Sequence, residues 1–107
     1  MHTVDLLTVG RGEEVVASAI AYLEPLGFRV LGTTSDDEAR AILHREQVRL
    51  LVIGGGVEAD SRNALTAEAT QRGTTVVQAQ RAGRDLEQYL GEEIVPILEG
   101  AASHRVD

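Results

Sequence analysis

Two glycine-rich turns are the parts of this chain best placed to do chemistry, Gly10-Arg11-Gly12 and Gly54-Gly55-Gly56. Each follows an apolar run and precedes a helical pattern. Turns of this kind present backbone amides to an anion, and a helix N-terminus adds a favourable partial charge. Arg11 and Arg62 can add charge-assisted hydrogen bonds. Thr33 and Thr34, at the end of another apolar run, bring further polar atoms to the same edge. The ligand these residues imply is a small anion or a nucleotide. A structural reading stands beside it, in which Gly54-Gly55-Gly56 is only a permissive turn at the end of a buried strand. Glycine costs backbone entropy on folding and one usually suffices for a turn. The surplus favours close approach of a ligand or of another backbone.

Other chemistries find little support. Gly10-Arg11-Gly12-Glu13-Glu14-Val15 matches only part of a dinucleotide fingerprint. Val15 replaces the third glycine, and Glu13 and Glu14 put carboxylates where a pyrophosphate wants free amides. Those acids have a structural reason of their own, since they favour the start of a helix. The chain has no cysteine, hence no thiolate nucleophile, thiolate metal site or disulfide. Of the histidines, His2 and His104 stand near the ends and His44 late on a helical segment. Asp36, Asp37 and Glu38 are adjacent at a helix start and splay rather than converge on a metal. Ser61 has no histidine in reach, and without lysine there is no P-loop. No catalytic residue, metal or cofactor is expected.

Composition sets broader limits. The 107 residues fit one domain, and 43% hydrophobic with 25% charged residues is a globular balance. The formal net charge is −7, and all ten basic residues are arginines scattered from Arg11 to Arg105. Phe28, Tyr22 and Tyr89 are the only aromatics. Net negative charge repels phosphate backbones, and single-strand binding needs stacking platforms beside positive charge. Nucleic acid is therefore not an expected partner. No apolar run reaches the ~20 residues of a membrane span, and Met1 to Asp5 lead straight into a strand pattern rather than a signal segment. A cytoplasmic location is expected.

The elements that would position the two turns alternate between strand and helix. Val4–Val9 reads as the first strand. Val15, Val16, Ala19, Ile20 and Leu23 then recur at helical spacing up to Pro25 and Gly27. Phe28–Thr33 reads as the second strand. Ser35 and Glu38 have capping-box spacing for a helix to about Glu46. Leu50-Leu51-Val52-Ile53 is continuous and β-rich, as in a strand buried on both faces. Asp60 or Ser61 would cap the third helix, which ends at Gly73. Thr74–Gln80 reads as the fourth strand. Gly83 leads into a last helix with Leu86, Tyr89, Leu90, Ile94, Val95 and Leu98, which Pro96 should kink or restart. Residues 1–99 form the domain and 100–107 a frayed tail.

Strand–helix alternation with short connections implies right-handed crossovers and a mostly parallel sheet. The expected fold is a three-layer α/β/α sandwich with four strands in order 2-1-3-4, the polar second and fourth strands at the edges. Ligands in such sheets sit at the carboxyl ends of the strands where the order reverses. Here that lies between the first and third strands, where both glycine turns fall.

The run from Val4 to about Gln80 resembles the response-regulator receiver domain, a flavodoxin-like (Rossmann-like) fold. Leu23-Glu24-Pro25-Leu26-Gly27-Phe28-Arg29-Val30 looks like its first-helix exit, and Ser35-Asp36-Asp37-Glu38-Ala39 like the start of its second helix. The resemblance implies a scaffold without the chemistry. Gly10-Arg11 stands where a receiver has its acidic pair and Gly54 where it has its phosphoacceptor aspartate. Gln78 or Ala79 stands where a hydroxyl is expected, and the lysine of a fifth strand has no counterpart.

The fourth strand is an open edge, and the last helix carries more apolar residues than one sheet face needs. Open edges recruit partners. The sequence therefore favours a non-catalytic protein-interaction or self-association module, with a homodimer formed through the fourth strand, the C-terminal helix or both. The alternative is a small-anion or nucleotide binder at the glycine crevice.

Overall fold

The computed structural model describes residues 3–103. The strands are β1 (Thr3–Val9), β2 (Val30–Thr33), β3 (Gln47–Ile53) and β4 (Thr75–Gln78). They form one all-parallel sheet in the order β2-β1-β3-β4. Helices α1 (Glu13–Leu23), α2 (Asp36–Arg45) and α3 (Ala59–Gln71) make the crossovers. After β4 come α4 (Leu86–Tyr89), a π-helical turn (Leu90–Ile94) and α5 (Val95–Ser103). Helix α5 runs on to Ser103, and residues 104–107 lie outside the described residues, as do His2 and His104.

Two apolar clusters hold the layers together, one on each face of the sheet. On one face Leu6, Val30, Leu50 and Val52 meet Ala19 and Leu23 of α1 and Tyr89, Leu90, Ile94 and Leu98 of the C-terminal helical segment. On the other, Leu7, Val9, Leu51 and Ile53 meet Ala39, Ile42 and Leu43 of α2 and Leu65 and Ala69 of α3. Strands covered on both faces must be apolar on both, which is why Leu50–Ile53 of β3 is a continuous apolar run and β1 carries Leu6 and Leu7 side by side. Gly32 in β2 has a packing reason: a Cβ there would come within 2.5 Å of Val16 Cγ1 on α1.

Several ends differ from the sequence reading, each for a local reason. β2 starts at Val30 rather than Phe28, because Arg29 N donates to the Asp5 side chain at 2.8 Å while Arg29 O accepts from Asp5 N and Leu6 N. β4 starts at Thr75, because Thr74 closes the α3 exit. Its N–H donates to Ala69 O and its buried hydroxyl to Val48 O at 2.8 Å. Only half of the Ser35–Glu38 capping box forms. Ser35 Oγ accepts from Glu38 N, but Ser35 N donates to Thr33 Oγ1. Neither Asp60 nor Ser61 caps α3; the cap residue is Glu58, and no side chain caps it.

The last helix changes form beside Pro96: a π turn ends at Ile94 and α5 resumes at Val95, with Pro96 its second residue. Leu86, Leu90, Ile94 and Leu98 lie four residues apart, and on a 3.6-residue helix each such step drifts about 40° around the axis. The wider π turn at Leu90–Ile94 rotates less per residue and takes up part of that drift. Leu90, Ile94 and Leu98 all stay buried. Gly91 in this turn is pressed by Tyr22 of α1, whose hydroxyl oxygen lies 2.9 Å from where a Cβ would be.

The strand register delivers the site. Val9 pairs with both Thr33 and Ile53, and Ile53 with Gln78. The ladder runs one residue further, with Gly10 N to Thr33 O, Gly54 N to Val9 O and Ala79 N to Ile53 O. Gly10, Thr34, Gly54 and Ala79 therefore leave the sheet along a single edge.

Candidate functional site

A cleft of about 400 Å³ opens at this edge, on the face covered by α1 and the C-terminal helical segment. Its rim is Gly10, Arg11, Gly12, Gly54, Gly55 and Gly56. Thr8, Val9 and Val52 line it from the strand ends, and Val15, Val16 and Ala19 from α1. Leu86, Tyr89 and Leu90 line it from the C-terminal segment, and Ala79 and Arg81 from the chain leaving β4. The volume lies within the range of small-molecule sites, and the lining is mainly apolar as such sites are. The two glycine turns meet at the switch point between β1 and β3.

The glycines of the rim have different reasons. Gly54 sits where the two strand ends converge, and a Cβ there would lie 3.4 Å from Val9 O. Gly55 and Gly56 are the central residues of a tight turn closed by Val57 N donating to Gly54 O. Neither has a positive φ, and a Cβ on either would meet nothing closer than 4.0 Å. Their amides donate to no acceptor among the described residues.

Arg11 belongs to the rim, but its guanidinium is engaged with partners outside the cleft. It pairs side-on with Glu58, bonds Asp36 at 2.9 Å and Thr34 O at 2.8 Å, and reaches Ser61 Oγ at 3.2 Å. None of these four partners lines the cleft. Ser61 Oγ also donates to Asp36; it cannot cap α3, because the helix begins at Ala59 and Ser61 is already its third residue. The network joins the β1–α1 turn to the starts of α2 and α3. Its hydrogen bonds to Glu58 and Asp36 hold the Arg11 guanidinium more firmly protonated than usual. Asp36 is lowered by the Ser61 hydroxyl and then by Arg11, and Glu58 is lowered by Arg11. This is an ion-pair knot, and its charges answer one another.

The remaining residues singled out in the sequence lie apart. Thr33 is buried, with its hydroxyl accepting from Ser35 N. Thr33 and Thr34 border a separate shallow groove with Gly32, Ser35, Glu38 and the start of α1. Arg62 braces the glycine turn, donating to Gly55 O at 3.4 Å and Val57 O at 2.9 Å, and does not line the cleft. His44 faces Glu68 of α3 and Arg72 just past its end, and none of the three lines the cleft. Among the described residues no group of three His, Asp or Glu side chains could hold a metal, and no helix is long and apolar enough to cross a membrane.

Sequence reasoning missed Arg81, Tyr89, Leu86 and Leu90. The signal was the apolar surplus of the last helix, part of which walls the cleft. Tyr89 is buried there, with the Arg84 guanidinium 5.3 Å from its ring centroid. Burial pushes its phenol up from the ordinary value, and the Gln80 backbone pulls part of the way back.

The fold is a doubly wound, three-layer α/β arrangement of flavodoxin-like and Rossmann-like type. No family model matches the chain, and no curated protein is significantly similar to it.

Proposed function

We propose that this domain binds a small ligand in the glycine-rimmed cleft between the ends of β1 and β3, as a binding module without chemistry of its own. The observation that carries this reading is the pair Gly55 and Gly56. Neither backbone conformation nor neighbouring atoms call for glycine at these positions. What their missing side chains preserve is open space at the rim of an apolar cleft, beside amides with no acceptor of their own. The sequence alone leans towards a protein-interaction module; the cleft moves the weight to its alternative, a small-anion or nucleotide binder. A receiver-like scaffold without aspartyl-phosphate chemistry and a cytoplasmic setting are parts of the same proposal.

A thermal-shift screen against nucleotides and simple organic anions tests it. A ligand at 100 times its dissociation constant stabilises the fold by about 2.7 kcal/mol. No shift across such a panel would sink the reading.

Self-association is a second reading, favoured by one observation. β4 ends the sheet, its outer edge has no strand partner among the described residues, and Val76 and Val77 are only half-buried. An edge of this kind can pair with that of a second copy, with the C-terminal helix contributing through Ile97, which is 39% exposed. Light scattering across a concentration series decides it; a monomer at high concentration rules it out.

A further inference from the structure

Arg81 is a basic residue lining the cleft that has no carboxylate partner among the described residues; Arg11, the other one, is held in its ion-pair knot. Arg81 is exposed, but its backbone is fixed. Arg84 N donates to Arg81 O at 3.0 Å, and between them Ala82 has φ 55 and Gly83 φ 87. Two successive left-handed residues make the mirror-image tight turn that normally calls for glycine or asparagine. Alanine is strained there, so something must hold the turn.

Arg84 supplies that hold. Its Nε donates to Arg81 O at 2.8 Å and its Nη2 to Gln80 O at 3.3 Å. Its Nη1 reaches Glu92 at 3.1 Å and Glu93 at 3.0 Å, and its guanidinium lies over the Tyr89 ring. One side chain thus clamps the turn that carries Arg81 onto the helical segment that walls the cleft. Among the described residues no carboxylate lines the cleft itself. Glu14, Asp85 and Glu87 border the adjoining groove.

Resting on the ligand-binding reading, we propose that the cleft takes an apolar-bodied oxyanion. Such a ligand is a carboxylate or phosphate monoester on an aromatic or aliphatic group. Its body packs against Val15, Leu86 and Leu90, and its charged end is read by Arg81. Arg84 is the positioning residue. A single arginine serves one anionic group, and the flanking acids disfavour a polyphosphate.

Titration of the full ¹⁵N-labelled chain with 1-naphthoate, 1-naphthyl phosphate and neutral 1-naphthol tests this. At least one anion should bind about tenfold tighter than 1-naphthol, as charge-assisted hydrogen bonding predicts, and shift the amides of Gly55, Gly56 and Leu86. The two anion arms identify the preferred oxyanion. Arg81→Gln should bring the anions to the 1-naphthol level and leave 1-naphthol binding unchanged. Arg84→Gln should lower the anion-to-naphthol ratio alone; a loss shared by all three probes would make Arg84 merely structural and overturn its assignment. If 1-naphthol binds the cleft as tightly as both anions, or Arg81→Gln keeps the anion preference, the inference fails and ligand binding stands. If no probe shifts the cleft amides, the inference fails, and the thermal-shift panel alone decides whether the cleft binds a ligand.

Discussion

The Arg11 guanidinium lies side-on against the Glu58 carboxylate, Nε to Oε1 at 3.0 Å and Nη2 to Oε2 at 2.9 Å, across a separation of 47 residues. The same Nη2 reaches Asp36. The arginine nearest the switch point is therefore a structural tie between three loops.

Acid sensitivity follows from that tie. Asp36 and Glu58 are both held below their ordinary values, so their unfolded forms take up protons first as pH falls. The stability they contribute is present above the unfolded values, about 3.9 for Asp and 4.3 for Glu. It is lost as pH falls from there through the lowered folded values. Arg11→Gln should lower the urea midpoint at pH 7 and flatten its fall below about pH 4.5. Urea titrations at a series of pH values check this. Because the guanidinium is turned to other partners, the same variant should leave the anion preference of the cleft unchanged.

Two glycines of very different crowding should respond differently to one added methyl. Gly32→Ala drives its Cβ against Val16, Ile20 and Thr8, and overpacking of this kind costs about 1–3 kcal/mol. Gly56→Ala meets open space and should stay within about 0.5 kcal/mol of the parent. Equal losses in denaturant unfolding would mean that the glycine turn is structural after all.

Gly55→Val should abolish binding in the cleft while leaving the sheet folded, with stability changed by about 1 kcal/mol or less. The φ is not left-handed, and the nearest atom to a new Cβ is Ala79 O at 4.0 Å. Circular dichroism and the thermal-shift response, measured on the same sample, separate the two effects. Unfolding would contradict the ligand reading of the rim.

Incubation with acetyl phosphate should leave the mass of the protein unchanged. The residues that follow β1 and β3 are Gly10-Arg11 and Gly54, and the nearby carboxylates of Asp36 and Glu58 are both paired to Arg11. Intact-mass spectrometry is the check, and one added phosphoryl group would refute the assignment.

The sheet order was legible because each strand carries its burial in its composition. Leu50–Ile53 must lie inside, while Arg29, Gln78 and Gln80 must lie near an edge. The meeting of the two glycine turns was legible for the same reason, since strand order alone places them together. The direction of Arg11 was not. It depends on Glu58 and Asp36, whose nearness is a product of the finished fold and leaves no local spacing to read. Ser61 misled as a helix cap because α3 begins earlier, at Ala59 after Glu58, which leaves Ser61 inside the first turn and free to donate to Asp36. Arg81 escaped notice because its value lies in a turn held by Arg84, and nothing in Arg81-Ala82-Gly83-Arg84 read singly distinguishes the clamped side chain from the free one.

The π turn at Leu90–Ile94 divides the C-terminal segment into two halves whose phases are set independently. Leu86 and Tyr89 before it, with Leu90 at its start, shape the cleft; after it, Leu98 seals the sheet. A uniform helix would couple these tasks, since any rotation that retunes the binding wall would also unseat the anchor. With the turn in place, evolution can resculpt the wall one residue at a time while the anchor stays seated, so specificity can diverge among descendants of this fold without reopening its core.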